Sequence, residues 1–197
     1  MARRVHPIEV ESYRILRSRV DTSALAPLHR AVVERIVHTT AEVSWAGDVV
    51  ASEDGLRAGH RALHGGADLV VDVRMLAAGV TAREAVVAID ESAVADLAEA
   101  DGITRSAAGF RLAARRCSEG AVWVVGNAPT ALVELIRLIS TGAVAPALVI
   151  GLPVGFVGSC EAKAALRRAQ VASVSNLTER GGAAVAAAAV NALLYAD

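Results

Sequence analysis

Lysine is almost missing from this sequence. Lys163 is the only one among 197 residues, and arginine carries the rest of the basic charge. Aromatic residues make up just 3% against 54% apolar residues overall, so small and branched aliphatic side chains must fill the interior. No long basic run is present and the formal net charge is −1. That leaves no electrostatic footprint for nucleic acid or an anionic membrane surface. The two cysteines, Cys117 and Cys160, lie far apart and outside metal-ligand spacing, so reduced thiols in a cytoplasmic protein are expected. Arg3 and Arg4 are followed by Glu9 and Glu11, with no apolar signal core between them.

Charge is also missing from Leu138 to Cys160, a stretch long enough to raise a membrane span. Gly142, Pro146, Gly151, Pro153, Gly155 and Gly158 interrupt it, and a lipid-facing helix tolerates such breaks poorly. A short buried strand between two turns is the expected structure instead.

The chain is long enough for one domain with a full core, and no internal repeat, linker or low-complexity tail divides it. Residues 1–66 read as mainly helical. Ile8, Tyr13, Ile15 and Leu16 give a rough amphipathic pattern over 7–19. Leu28, Val32, Val33, Ile36 and Val37 recur at helical spacing over 27–39 behind Pro27. A third helix is expected over 53–63, stopping at Gly65-Gly66.

From residue 67 to residue 197 the rhythm alternates. Apolar runs at 69–73, 85–89, 121–125, 147–152 and 171–174 read as buried strands, of which 85–89 also suits a helix. Helical stretches at 92–100, 105–116, 129–140, 159–169 and 182–195 lie between or after them. This pattern predicts an α/β fold: a Rossmann-like, doubly wound, mostly parallel sheet with helices on both faces.

In such a sheet, ligands bind outside the carboxyl ends of the strands. Asp72 closes one strand, Gly126-Asn127-Ala128-Pro129-Thr130 follows another, and Gly151-Leu152-Pro153-Val154-Gly155-Phe156 follows a third. The latter two open into helices, whose free N–H groups and dipole favour an anion. Asn127 and Pro129 equally suit a plain helix cap and first turn. Gly151, Gly155 and Gly158 depart from the dinucleotide fingerprint, and no Walker-type lysine follows them. Glycines after strands are also ordinary turn chemistry.

Of five histidines, His6, His29, His60 and His64 sit among polar residues, where solvent exposure is the default. His38 ends an amphipathic helix and precedes Thr39-Thr40, whose hydroxyls can fix its tautomer. It is either a proton-exchanging residue or a satisfied histidine at the core edge. No nucleophile elbow, zincin motif or cysteine–histidine motif is present. Residue chemistry alone thus reaches an α/β domain with an anion-tolerant pocket.

Several segments go further. HPIEVES at 6–12, ERIVHTTAE at 34–42, GITRSAAGF at 102–110, GNAPTAL at 126–132, GLPVGFVGSCEAKAAL at 151–166 and GGAAVAAAAVNALL at 181–194 occur in one order across nearly the whole chain. Together they resemble the precorrin-8X methylmutase family. GNAPTAL with PVGFVG in register is the most specific part.

The resemblance implies a homodimeric isomerase of cobalamin biosynthesis, needing no cofactor, that moves a methyl group from C-11 to C-12 of a corrinoid substrate. It places His38 as proton donor and Ser12 and Arg105 at substrate. Thr39, Asn127, Gly155 and Phe156 join them as candidate substrate contacts, Phe156 being equally suited to plain core and Arg105 to solvent. A site near the subunit interface and hand-over to a following enzyme are further expectations. Two stretches depart from the family pattern. Glu42 stands where the family usually has aspartate, Trp45 stands near an expected smaller aromatic, and Leu177-Thr178-Glu179-Arg180 replaces a more basic run. The alternatives are a non-catalytic corrinoid-binding protein and a generic nucleotide-binding domain.

Overall fold

The computed structural model describes residues 6–196; Arg3 and Arg4 lie outside the described residues. Helices α1 (Pro7–Arg19) and α2 (Pro27–Thr40) come first, followed by a 3-10 turn at Val43–Gly47, strand β1 (Val49–Ala51) and α3 (Glu53–His64). Then come β2 (Leu69–Val71), α4 (Arg74–Gly79), β3 (Val86–Val87), α5 (Val94–Asp101) and α6 (Arg105–Ala113). The last part is β4 (Val122–Val125), α7 (Pro129–Ser140), β5 (Leu148–Gly151), α8 (Ser159–Arg168), β6 (Ser173–Asn176) and α9 (Ala183–Tyr195).

The six strands form one sheet in the order β1-β6-β5-β4-β2-β3. All neighbours are parallel except β1, which pairs antiparallel with β6 through Val49 opposite Asn176. The five parallel strands follow the flavodoxin-like doubly wound order, which differs from the Rossmann order. The α/β, mostly parallel sheet is as expected, and that ordering refines it.

Alternate strand residues serve opposite cores. Val71, Val124, Ile150 and Val174 face one apolar cluster with α2, α3, α4 and α9. Val70, Trp123 and Val149 face another with α6, α7 and α8. Small residues allow close approach: a Cβ at Gly79 would come within 2.8 Å of Ala187 Cβ on α9. Phe110 meets Trp123 edge-on at 5.0 Å, so two of the few aromatics anchor the second core.

Two elements were not anticipated, and one strand boundary needs correction. The N-terminal part carries a strand: β1 is three residues long, too short for a pattern, and exists because β6 offers an open edge. Helix α4 was not anticipated, since Arg74–Gly79 spans under two turns. Strand β6 runs over Ser173–Asn176 rather than 171–174, because Asn176 is bound in a buried polar network that apolar counting does not register.

Helix α1 is attached to α2 mainly through polar contacts, with Leu16 its sole buried residue. Glu34 of α2, 3% exposed, accepts hydrogen bonds from Thr22 Oγ1 (2.6 Å), Arg17 Nη2 (2.7 Å) and Arg30 Nε (2.9 Å). Burial pushes this carboxyl up, but the bonds from Arg17, Thr22 and Arg30 outweigh it and hold it at about 2, against the usual 4.5. The unfolded chain therefore takes up this proton first, and acid favours unfolding. Wild type should exceed Glu34→Gln in stability by about 1–2 kcal/mol above pH ~4.5, since the arginines are partly solvated. Denaturant titrations at falling pH should show that advantage vanish as pH approaches 2.

Candidate active site

Parallel strands β2, β4, β5 and β6 all deliver their carboxyl ends to one edge of the sheet. Helix α2 delivers its own end there too, because the chain passes from Thr40 through the 3-10 turn to Val49, the partner of Asn176. His38 is thereby carried to the edge where a doubly wound fold binds ligands.

The His38 ring is held from two sides by α1. Ser12 Oγ lies 2.9 Å from His38 Nδ1, and the Tyr13 ring stacks on the imidazole at 5.0 Å with an interplanar angle of 8°. With Nδ1 engaged, Nε2 is the nitrogen left for proton exchange. The ring is half-buried beside a cavity of about 650 Å³, whose wall includes Glu9, Arg35, His38, Thr39, Gly79 and Ala187. Arg35 Nη1 and Glu9 Oε1 pair at 2.9 Å. Both also line a neighbouring groove of about 840 Å³ between α1, α2 and the end of α9.

The hydroxyls expected to fix the His38 tautomer do not do so. Thr39 Oγ1 donates to Arg35 O (2.8 Å) and Thr40 Oγ1 to Ile36 O (2.9 Å), both back onto their own helix. Ser12, 26 residues away, takes that role.

Ser12, His38 and Thr39 come together; the other expected residues occupy the rim elsewhere. Arg105 is exposed at the first position of α6, behind the Thr104 cap. Thr104 Oγ1 meets Thr130 Oγ1 at 2.7 Å, which ties this rim position to the start of α7. Phe156 is 95% exposed and Val157 88% exposed, which excludes plain core for Phe156 within this chain.

The anion site expected after β4 is already filled. Asp72, fully buried, accepts from the N–H groups of Gly126 (3.2 Å), Asn127 (2.8 Å) and Ala128 (3.0 Å). Burial pushes its carboxyl above the ordinary value, against the pull of those three bonds. Asn127 is not the helix cap: Ala128 holds that position without a side-chain bond, and the acceptor comes from β2 instead. The Asn127 residue is exposed. Likewise the Gly155 N–H donates to Glu179 O at 3.1 Å, while α8 starts behind Gly158 with no side-chain cap.

The departures noted around residues 42–45 and 177–180 meet in space. Arg180 pairs with Glu42 Oε2 (2.9 Å) and Asp48 Oδ2 (2.8 Å) and lies over the Trp45 ring at 4.5 Å. The loop's one arginine is thus engaged internally. Of the remaining histidines, His6 and His64 are exposed while His29 and His60 are half-buried. His60 and His64 turn Nε2 to the carbonyls of Ala196 and Leu193 at the end of α9, which covers His60 beyond the default. Sequence reading missed Tyr13, Glu9 and Arg35 and took Asp72 only as a strand end; a tyrosine beside Ser12 was the available signal.

Fold and site together define a doubly wound α/β protein that presents His38, held by Ser12 and Tyr13, to a ligand-sized cavity at the carboxyl edge, with His6 on the same wall. The profile of the precorrin-8X methylmutase family matches residues 7–196. A cobalt-precorrin-8 methylmutase of Methanothermobacter thermautotrophicus is 41% identical over 174 residues, covering 88% of this chain and 84% of that protein. A precorrin-8X methylmutase of Pseudomonas aeruginosa is 38% identical over 191 residues, covering 93% and 91%. The solved precorrin-8X methylmutase of Thermus thermophilus superimposes with a TM-score of 0.87 at 35% identity, covering 96% of each chain. The chain belongs to the precorrin-8X methylmutase family. Among the described residues, no helix is long and apolar enough to cross a membrane.

Proposed function

We propose that this chain is a cobalamin-pathway isomerase that moves a methyl group from C-11 to C-12 of precorrin-8X, or of cobalt-precorrin-8. The product is hydrogenobyrinic acid or its cobalt counterpart, cobyrinic acid. The observation that carries this reading is the fixed imidazole: Ser12 on Nδ1, Tyr13 on the ring face, and a cavity beside it. As imidazolium, His38 protonates the conjugated macrocycle from Nε2 and makes it electron-poor. That lowers the barrier to a suprafacial sigmatropic methyl shift. The proton then returns to His38, as an isomerisation requires. Proton transfer of this kind contributes roughly 10²–10⁴-fold, and holding the ring in a reactive shape supplies more.

Ser12 and Thr39 contact the substrate beside His38. Arg105 clamps one of its carboxylates, Asn127 reaches it through its side chain, and Gly155 and Phe156 meet the ring from the β5–α8 loop. The exposure of Phe156 and Val157 supports a rim that substrate or a second copy covers. The protein works in the cytoplasm as a homodimer with the site near the subunit interface, and passes product to the next enzyme of the pathway.

The test is an absorbance spectrum of the purified protein with precorrin-8X under anaerobic conditions. Conversion to the hydrogenobyrinic acid spectrum is expected. A bound but unchanged substrate spectrum, with the cobalt form equally inert, would instead favour a corrinoid-binding protein of the same fold.

A further inference from the structure

The chain's single lysine is fully buried inside α8. A buried ammonium is costly unless its protons are all placed. Those of Lys163 are: Nζ donates to Asn176 Oδ1 (2.8 Å), Thr178 O (2.6 Å) and Arg180 O (2.7 Å). Two of the three acceptors are main-chain carbonyls of the loop between β6 and α9. Asp48 holds the same loop from the other side, accepting from the N–H groups of Leu177 (2.8 Å) and Thr178 (3.1 Å).

This loop reaches in two directions. Through Arg180 it grips Glu42, Ser44, Trp45 and Asp48, the segment that follows His38-Thr39. Through its backbone it grips the β5–α8 loop: Gly155 N–H donates to Glu179 O (3.1 Å), and Gly182 N–H donates to Leu152 O (2.9 Å). Gly181 permits that approach, since a Cβ there would overlap the Leu152 and Pro153 carbonyls. Lys163 lines neither cavity, so the reaction described above makes no direct use of it.

We propose that Lys163 is a positioning residue, whose ammonium holds the β6–α9 loop as a bridge between the segment behind His38 and the loop bearing Gly155 and Phe156. The inference rests on reading the carboxyl edge of the sheet as the active site. Its geometry explains why one cation is placed in an apolar helix face when arginine serves everywhere else. Three protons converging on three oxygens suit a compact ammonium, whereas a planar guanidinium would not fit them. The ionisable groups facing this network are Cys160 and Arg167 on α8, Asp48, and Glu179 and Arg180 on the loop. Burial pushes the Lys163 ammonium down to about 8, with Cys160 and Asp48 opposing that shift. The bridge should therefore loosen as pH rises past that value.

Hydrogen exchange on the free protein tests the bridge without substrate. In Lys163→Met, the hydrogen-bonded amides of Leu177, Thr178 and Gly182 in one loop and of Gly155 in the other should lose protection about tenfold or more, while β4 and β5 keep theirs. With precorrin-8X, KM should rise about tenfold and kcat should change much less. Lys163→Arg should not restore either property. If Lys163→Met fails to fold, wild type at about pH 7 and about pH 9.5, corrected for intrinsic exchange, gives the same comparison. Unchanged protection in the two loops, or a loss spread evenly over the whole chain, would overturn the proposal. A wild type that does not convert precorrin-8X would count against the proposed function and leave the exchange result to decide the bridge.

Discussion

Alanine at position 38 is expected to cost about 10²–10⁴-fold in kcat with little change in melting temperature. The imidazole contributes to the site more than to the core: it is half-buried, and its partners Ser12 and Tyr13 belong to a helix with one buried residue. Truncation therefore leaves α2 packed on α9 through Val32, Val33, Ile36 and Val37. Substrate affinity should fall far less than turnover, because the loss concerns the transition state. Ser12→Ala is the graded companion, removing one hydrogen bond and so costing about five- to tenfold. Single-turnover absorbance kinetics of the three proteins would check the order. Near-normal turnover in His38→Ala would remove the histidine from the mechanism.

The second large effect concerns stability. Asp72→Ala is expected to lower unfolding free energy by roughly 2–4 kcal/mol, as three backbone N–H groups lose their acceptor. The loss is tempered because burial already penalises the ionised carboxyl. Asp72→Asn should fall between. Its amide oxygen can replace Oδ2, which serves Asn127 and Ala128, but its amide nitrogen would confront the Gly126 donor that Oδ1 now accepts. Urea denaturation of both variants measures the ranking. Equal stability of all three proteins would mean that water satisfies the loop without Asp72.

Most helices were legible in the sequence because their apolar residues recur at helical spacing, and Pro27 and Pro129 mark two of their starts. The 27–39 expectation became Pro27–Thr40, and 129–140 was met by Pro129–Ser140. Strands buried on both faces read as plain apolar runs, so 121–125 and 147–152 were visible as well. Strand β1 was not, because its pairing depends on an edge supplied 125 residues later, at Ser175 opposite Val50. The site divides along the same line. His38 was visible because it ends a periodic helix. Its tautomer-fixing partner was misassigned to adjacent hydroxyls, since helical Thr39 and Thr40 bond to their own backbone before anything else. Asp72 was noticed only as a strand end. Nothing local reveals that it meets residues 126–128 across the switch point between β2 and β4. Polar contacts between distant segments leave no period to read.

The weak anchorage of α1 carries a consequence for how the protein fails. An element with one buried side chain detaches from the rest at a lower free-energy cost than the sheet melts. Ser12 and Tyr13 depart with it, and the imidazole of His38 is then free to spin and to fill with water on both nitrogens. Heating should thus silence the chemistry in a protein that is still almost entirely folded, an inactivation step separate from denaturation.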